Sequence, residues 1–363
     1  MKLQVTQENL NKALGSVARI ADTHGTLPVL ANVLIKAVKN RLSIAATNLN
    51  IGITHFIGAK IEQEGLITVP ANLLASFVAS LPSGVINMEL EGKKLKISTE
   101  QYNSTINGIS AEEFPVMPAI EKGDTFTVKA SDLKKGLQQV VFTASSTDSR
   151  PVLSGVFFHS DGTKLYIAAT DSSRLAEKSL DYKIANLQTL VPASAMNDLL
   201  RILDDEVEKV KIIKDEQQAL FSFGDVELVT RLIDSNFPNY QPLIPTKSSV
   251  KATLKRQEFL NIVKVSSLFA RESAGSITVE IKEKEKSVEI KSLASQLGEN
   301  TATAEAIVEG SGNITINSKF LIEALNAFDG EEITFSFNGK LEPVLLKDPK
   351  NSDYVHVIMP LKS

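Results

Sequence analysis

The chain has no cysteine. That absence excludes a disulfide framework, thiolate zinc sites, iron–sulfur ligation and a cysteine nucleophile. It contains no apolar run near the roughly 18 residues that a membrane span needs. The stretch from Met1 to Leu10 is polar and mixed, unlike a secretory leader. Together these point to a cytoplasmic protein with no membrane partner. Cations are in slight deficit, 39 Lys and Arg against 43 Asp and Glu for a net charge of −4, so a polybasic nucleic-acid binder is disfavoured. Any surface facing DNA has to be local. The motifs of the P-loop, the nucleophile elbow, the zincin helix and the dinucleotide fingerprint are all missing. Gly92-Lys93 and Gly339-Lys340 read as hairpin tips. His24, His55, His159 and His356 are scattered, and none has a partner at metal-ligand spacing. No catalytic residue, metal or cofactor is expected.

What is present is repetition. Pro28-Val29-Leu30 recurs as Pro151-Val152-Leu153, and Leu42 to Asn48 recurs as Leu165 to Asp171, both 123 positions later. Phe114-Pro115 recurs as Phe237-Pro238 at the same offset, and Val69-Pro70-Ala71 as Val191-Pro192-Ala193 at 122. Chance composition would scatter these offsets. A fainter third copy runs through Ile314-Thr315-Ile316 and Ser318-Lys319-Phe320-Leu321. Polar joins after Met117-Pro118 and Ile244-Pro245 divide the chain into three similar domains, 1–121, 122–247 and 248–363.

Each domain contains two similar halves, a strand followed by a helix. The predicted helices cover 7–21, 72–81, 131–144, 194–203, 256–268 and 318–328. In the first, Leu10, Leu14, Val17 and Ala21 share one face, while Lys12, Ser16 and Arg19 share another. Ser131 and Ser318 are candidate N-caps. Alternating strands fill the remainder, so the fold class is α+β, three repeated domains with helix pairs packed on antiparallel sheets. The free helix faces carry cations such as Lys12, Arg19, Lys134, Arg201 and Lys264, interleaved with acids that include Asp198. No aromatic residues punctuate them, which argues against stacking on single-stranded bases. A mildly basic, base-blind lining suits duplex phosphates without sequence readout.

The repeats, with Ala169-Thr170-Asp171-Ser172-Ser173-Arg174-Leu175, Phe237-Pro238-Asn239-Tyr240 and Val357-Ile358-Met359-Pro360-Leu361, give the whole chain a close resemblance to the bacterial sliding clamps, the beta subunits of DNA polymerase III. Singly these motifs are weak; in this order and spacing they are specific. The resemblance implies half of a head-to-tail homodimeric ring. Helices would line a hole that encircles double-stranded DNA, as a processivity factor without activity of its own. It implies one cleft that takes short peptides from the replicative polymerase alpha subunit, the clamp loader, other polymerases and repair proteins. The matching positions are Leu153, Thr170, Arg174, Leu175, Pro238, Leu243, Val344, Val357, Met359, Pro360 and Leu361, with Asn317 and Phe320 in a neighbouring subsite. Arg174 would offer a donor to a peptide carbonyl or carboxylate. For Leu153, Leu175 and Val344, plain core packing is the competing reading. Met359-Pro360-Leu361 would otherwise be an exposed apolar tail.

The same resemblance places His24 and Arg150 on loops near DNA, and Ile109, Leu268 and Phe269 at the dimer junction, where ordinary burial competes. Departures are Ser172-Ser173 where the family often has Gly-His, Pro242 where it often has Arg, His24 where Arg is frequent, and Asp198 where a base is expected. Two alternatives stand beside the clamp. One is a metal-dependent nuclease using Asp148, Asp171 and Asp234, which lack two-metal spacing. The other is a peptide scaffold that ignores DNA.

Overall fold

The computed structural model describes residues 1–21, 27–39, 41–120, 122–147, 150–294 and 298–361. Six α-helices are present among them: α1 (Gln7–Val17), α2 (Ala71–Ser80), α3 (Ala130–Val140), α4 (Ala193–Ile202), α5 (Arg256–Phe269) and α6 (Ser318–Ala327). Each follows directly on a strand, in the order that the repeat predicts. Helices α1 and α3 each end about one turn before their predicted limits. After Val17 the chain tightens into a 3-10 turn, Ala18–Ile20, and after Val140 into another, Val141–Thr143.

Neither N-cap expectation holds. Helix α3 begins at Ala130, which leaves Ser131 inside its first turn. Asn317, not Ser318, caps α6, its side chain accepting from the Lys319 amide at 2.9 Å. Ser318 is buried instead, as the first helical residue. The longer Asn side chain reaches the free amide from the extended residue before the helix.

Two compact units divide the chain. In the first (1–131 and 197–232), a five-stranded sheet contains Lys60–Gln63, Lys2–Thr6, Val85–Glu91, Lys94–Ser98 and Asn103–Asn107, in that order. An eight-stranded sheet joins first-domain strands to second-domain strands, and its joint is Ile51–Gly58 paired antiparallel with Val226–Arg231. Helix α1 buries Leu10, Ala13, Leu14 and Val17, and α2 buries Ala71, Leu74 and Val78. In the second unit (132–196 and 233–363), a nine-stranded sheet has Arg174–Leu180 paired with Tyr354–Ile358 at its own joint. A four-stranded sheet ends on Gly298–Glu305. Helices α5 and α6 present Phe259, Leu260, Val263, Leu321, Ala324 and Leu325 to the core. Strand alternation explains the sheets: Ser276–Lys282, for instance, buries every second residue.

The repeated Ala-Ala-Thr-Asn/Asp words are turn signatures. Thr47 and Thr170 end equivalent strands, and each hydroxyl donates to the carbonyl four residues on, of Ile51 at 2.9 Å and of Arg174 at 2.6 Å. Asn48 and Asp171 each accept two amides, from Asn50 and Ile51 and from Ser173 and Arg174. The intervening Leu49 and Ser172 sit at φ of 74° and 76°. The side-chain hydrogen bonds on either side brace these side-chain-bearing residues in the left-handed region. The predicted hairpin tips are also in place, with Gly92 at φ 58° between Val85–Glu91 and Lys94–Ser98.

Candidate partner-binding cleft and nucleic-acid face

Arg174 opens the strand that joins the second domain to the third, and it is only 8% exposed. Its Nε donates to Asp171 Oδ2 at 3.0 Å, one terminal nitrogen donates to Glu323 of α6, and the other to the Phe142 carbonyl at 2.8 Å. The guanidinium lies over two rings, 4.6 Å from the Phe320 centroid and 5.4 Å from that of Phe142. A buried cation is tolerated only with such pairing. The expected free donor for a peptide is therefore largely committed. Arg174 instead fixes the Thr170–Arg174 turn to Phe320 and Glu323.

Leu175 continues inward. With Ala168, Tyr240, Leu345, Val355 and Val357 it forms a buried cluster, against which Phe157, Phe237 and Ile244 pack. Register explains the grouping: Leu175 faces Val357 across one strand pair, and Leu345 faces Val357 across the next. Val344 is fully buried and Leu153 nearly so, so core packing accounts for both. Tyr240 donates to Glu177 at 2.5 Å and meets His159 Nε2 at 2.7 Å. Burial raises the Glu177 carboxyl and lowers the His159 imidazole from their ordinary values. Thr170 is buried and serves the turn, while Asn317 serves the α6 cap and donates to the Ala274 carbonyl at 3.1 Å.

The accessible part of the set is smaller. Pro238 and Leu243 are exposed, and Phe320, Met359, Pro360 and Leu361 are half-buried. The tail is not free, as exposure alone would have it. The Met359 amide donates to the Ser173 carbonyl and the Leu361 amide to that of Thr315, both at 2.8 Å. Ser173 and Thr315 carry no sequence signal for this docking. Phe142, Glu323 and the buried His356, which stacks on Phe142 at 5.8 Å, also escaped the sequence reading.

Several of the cations expected to face DNA are paired. Lys12 of α1 meets Asp204 at 3.0 Å, and Arg201 of α4 meets Asp198 at 3.1 Å. Arg19, Arg201, Asp198 and Gly15 border a small cavity of about 110 Å³. Burial raises the Asp198 carboxyl, with Arg201 and Arg19 opposing the rise. The unexpected acid is thus balanced by its neighbours. Lys264 and Arg150 are exposed, Lys134 is half-buried, and His24 lies outside the described residues. At the expected dimer junction, Leu268 is half exposed and Phe269 half-buried, and Ile109 forms a two-way backbone bridge with Thr68. Of the alternative acids, Asp148 lies outside the described residues, Asp171 is held by Arg174 and Asp234 is exposed. Among the described residues no helix is long and apolar enough to cross a membrane, and no group of three or more side chains is placed to hold a metal.

Comparison with known proteins agrees with this architecture throughout. Models of the N-terminal, central and C-terminal domains of the DNA polymerase III beta subunit match residues 1–118, 127–239 and 241–362. The beta sliding clamp of Bacillus subtilis is 30% identical over 380 residues, with both chains covered in full. Its kind is also the structural match: a DNA polymerase sliding clamp from Bacillus subtilis superposes with a TM-score of 0.95 at 29% identity, covering 100% of this chain and 99% of that one. The DNA polymerase III beta subunit of Pseudomonas aeruginosa gives 0.95 at 25% identity, each chain covered in full. Shared along its whole length in sequence and in fold, this chain belongs to the DNA polymerase III beta-subunit family of sliding clamps.

Proposed function

We propose that two copies of this clamp close head to tail around duplex DNA, and that the cleft beside Arg174 receives short apolar peptides. The observation that carries the ring is the strand left over at each end of the repeat. Val226–Arg231 joins Ile51–Gly58, and Tyr354–Ile358 joins Arg174–Leu180. The corresponding strand of the first domain is Asn103–Asn107, and that of the third is Gly298–Glu305. Both stand at the edge of their sheets. Edge strands invite pairing with another chain. Here the two edges are the two halves of a joint that the chain already makes twice. Leu268, exposed at the end of α5, supplies apolar area for the same junction, as do Ile109 and Phe269.

DNA would be held by enclosure. With Lys12 and Arg201 engaged by acids, few phosphate contacts are strong, and each avoided contact removes a salt-dependent drag on sliding. Lys134, Lys264, Arg19, Arg150 and His24 complete the proposed DNA-facing set. The peptides would come from the replicative polymerase alpha subunit, the clamp loader, other polymerases and repair factors. They would meet Pro238, Leu243, Phe320 and the tail Met359-Pro360-Leu361, over the buried floor of Leu153, Leu175, Val344 and Val357. Loaded onto DNA, the protein should dissociate far more slowly from nicked circles than from short linear duplexes with open ends. Equal dissociation from the two overturns the topological reading.

A further inference from the structure

Strand register puts Glu177 on the face that floors the proposed cleft. Glu177 lies two residues along its strand from Leu175, so both side chains point the same way, and Val357 faces Leu175 from the neighbouring strand. Phe157 and His159 share that face on the other side, opposite Ala168 and Tyr166. The segment 237–243 lies over it, and among those residues only Tyr240 is buried, at 3% exposure. Pro238 and Leu243 are exposed on either side of it. Tyr240 also holds the turn that carries Leu243, whose amide donates to the Tyr240 carbonyl at 2.9 Å. Phe237 stacks on Phe157, and Phe157 on His159, with centroids 4.9 Å and 5.1 Å apart. Apolar packing alone would seat the segment with a phenylalanine at position 240. The chain instead buries a hydroxyl that donates to Glu177 at 2.5 Å and lies 2.7 Å from His159 Nε2. Burial disfavours the charged form of both partners, raising the Glu177 carboxyl and lowering the His159 imidazole. What these contacts add over apolar packing is direction: two partners at fixed distances set the depth and tilt of the ring.

We propose that Glu177, Tyr240 and His159 are positioning residues for the peptide cleft: they fix the segment 237–243 so that Pro238 and Leu243 stand at a set height over Leu175 and Val357. This rests on the reading above, in which apolar peptides meet Pro238 and Leu243. None of the three needs to touch the peptide. They tie the exposed wall of the cleft to the strand that supplies its floor. Without the hydroxyl anchor the ring at position 240 stays buried but slides along the aromatic row, and the wall moves with it.

The test is the affinity of the full chain for a labelled polymerase-tail peptide, read by fluorescence anisotropy in four variants. Tyr240→Phe keeps the ring and removes the hydroxyl, Glu177→Ala removes the acceptor, and Glu177→Gln keeps an acceptor oxygen. Affinity should fall about tenfold in each of the first two, and no further in the double variant Tyr240→Phe with Glu177→Ala, because both changes break one contact. Glu177→Gln should bind within about twofold of the wild type. The methyl signals of Met88 and Met196, both fully buried, report by NMR that each variant is folded. Wild-type affinity in Tyr240→Phe overturns the proposal. So do losses that add in the double variant, as independent loosening of the fold would make them, or a Glu177→Gln protein as weak as Glu177→Ala. Should Tyr240→Phe fail to fold, the contrast between Glu177→Gln and Glu177→Ala decides alone. A wild type that binds no peptide overturns the cleft reading and this proposal with it, whereas binding indifferent to Tyr240→Phe overturns only the proposal.

Discussion

His356 is a polar residue in an apolar setting. It is fully buried on the strand Tyr354–Ile358, stacked on Phe142, with Nδ1 3.0 Å from the Tyr354 hydroxyl and Nε2 without a partner. Desolvation, helped by the nearby Arg174 cation, pushes its pKa from 6.5 down to about 3. The folded imidazole therefore stays neutral where the unfolded one takes up a proton. Stability rises with pH across the window from 3 to 6.5 and falls as pH drops through it, by about 1.4 kcal/mol per unit for this one group. Denaturant unfolding of the wild type at pH 7 and pH 5 should show that loss, and His356→Phe should reduce it. Identical pH slopes in the two proteins would remove His356 as its source. Ser172 shows a different residue-scale effect. Its φ of 76° is the reason glycine suits the position, yet Thr170 and Asp171 brace the turn well enough to keep a serine there.

At the scale of elements, the C-terminal segment is the clearest case of chemistry that composition only suggested. Met359-Pro360-Leu361 is held by two backbone hydrogen bonds, to Ser173 and Thr315, that no side-chain motif encodes. The tail follows a strand whose Leu345 and Leu175 neighbours are buried independently of it. Deleting the chain from Met359 onward should therefore leave the fold intact while lowering affinity for a labelled polymerase-tail peptide at least tenfold in fluorescence anisotropy. Unchanged affinity would move the proposed cleft elsewhere. Helix positions were legible because apolar spacing sets the buried face: Leu10, Leu14 and Val17 are all fully buried. Cap positions were not, because Ser131 and Ser318 are chemically competent caps, and only backbone geometry placed them inside their helices. Arg174 was legible as a site residue but not in its role, since Glu323 lies 149 positions away and Phe142 carries no charge pattern.

For the whole molecule, the repeat has a consequence that no single domain shows. Two of the joints are made within the chain, and the strands for one more, Asn103–Asn107 and Gly298–Glu305, remain at sheet edges. Copies related by a two-fold axis would use both edges and close the assembly, whereas an unclosed arrangement would grow into filaments. Sedimentation at low micromolar concentration should find a two-chain species, and a solely one-chain species would overturn the head-to-tail pairing. The linear chain alone determined the threefold duplication, the α+β class and the strand–helix order, because periodicity and offset are properties of the chain itself. Tertiary structure alone decided which cations are bound to acids, which cleft residues are floor and which are surface, and that His356 Nε2 lies buried without a partner. Those outcomes depend on residues far apart in the chain being brought within a few ångströms, and spacing along the backbone does not encode that distance.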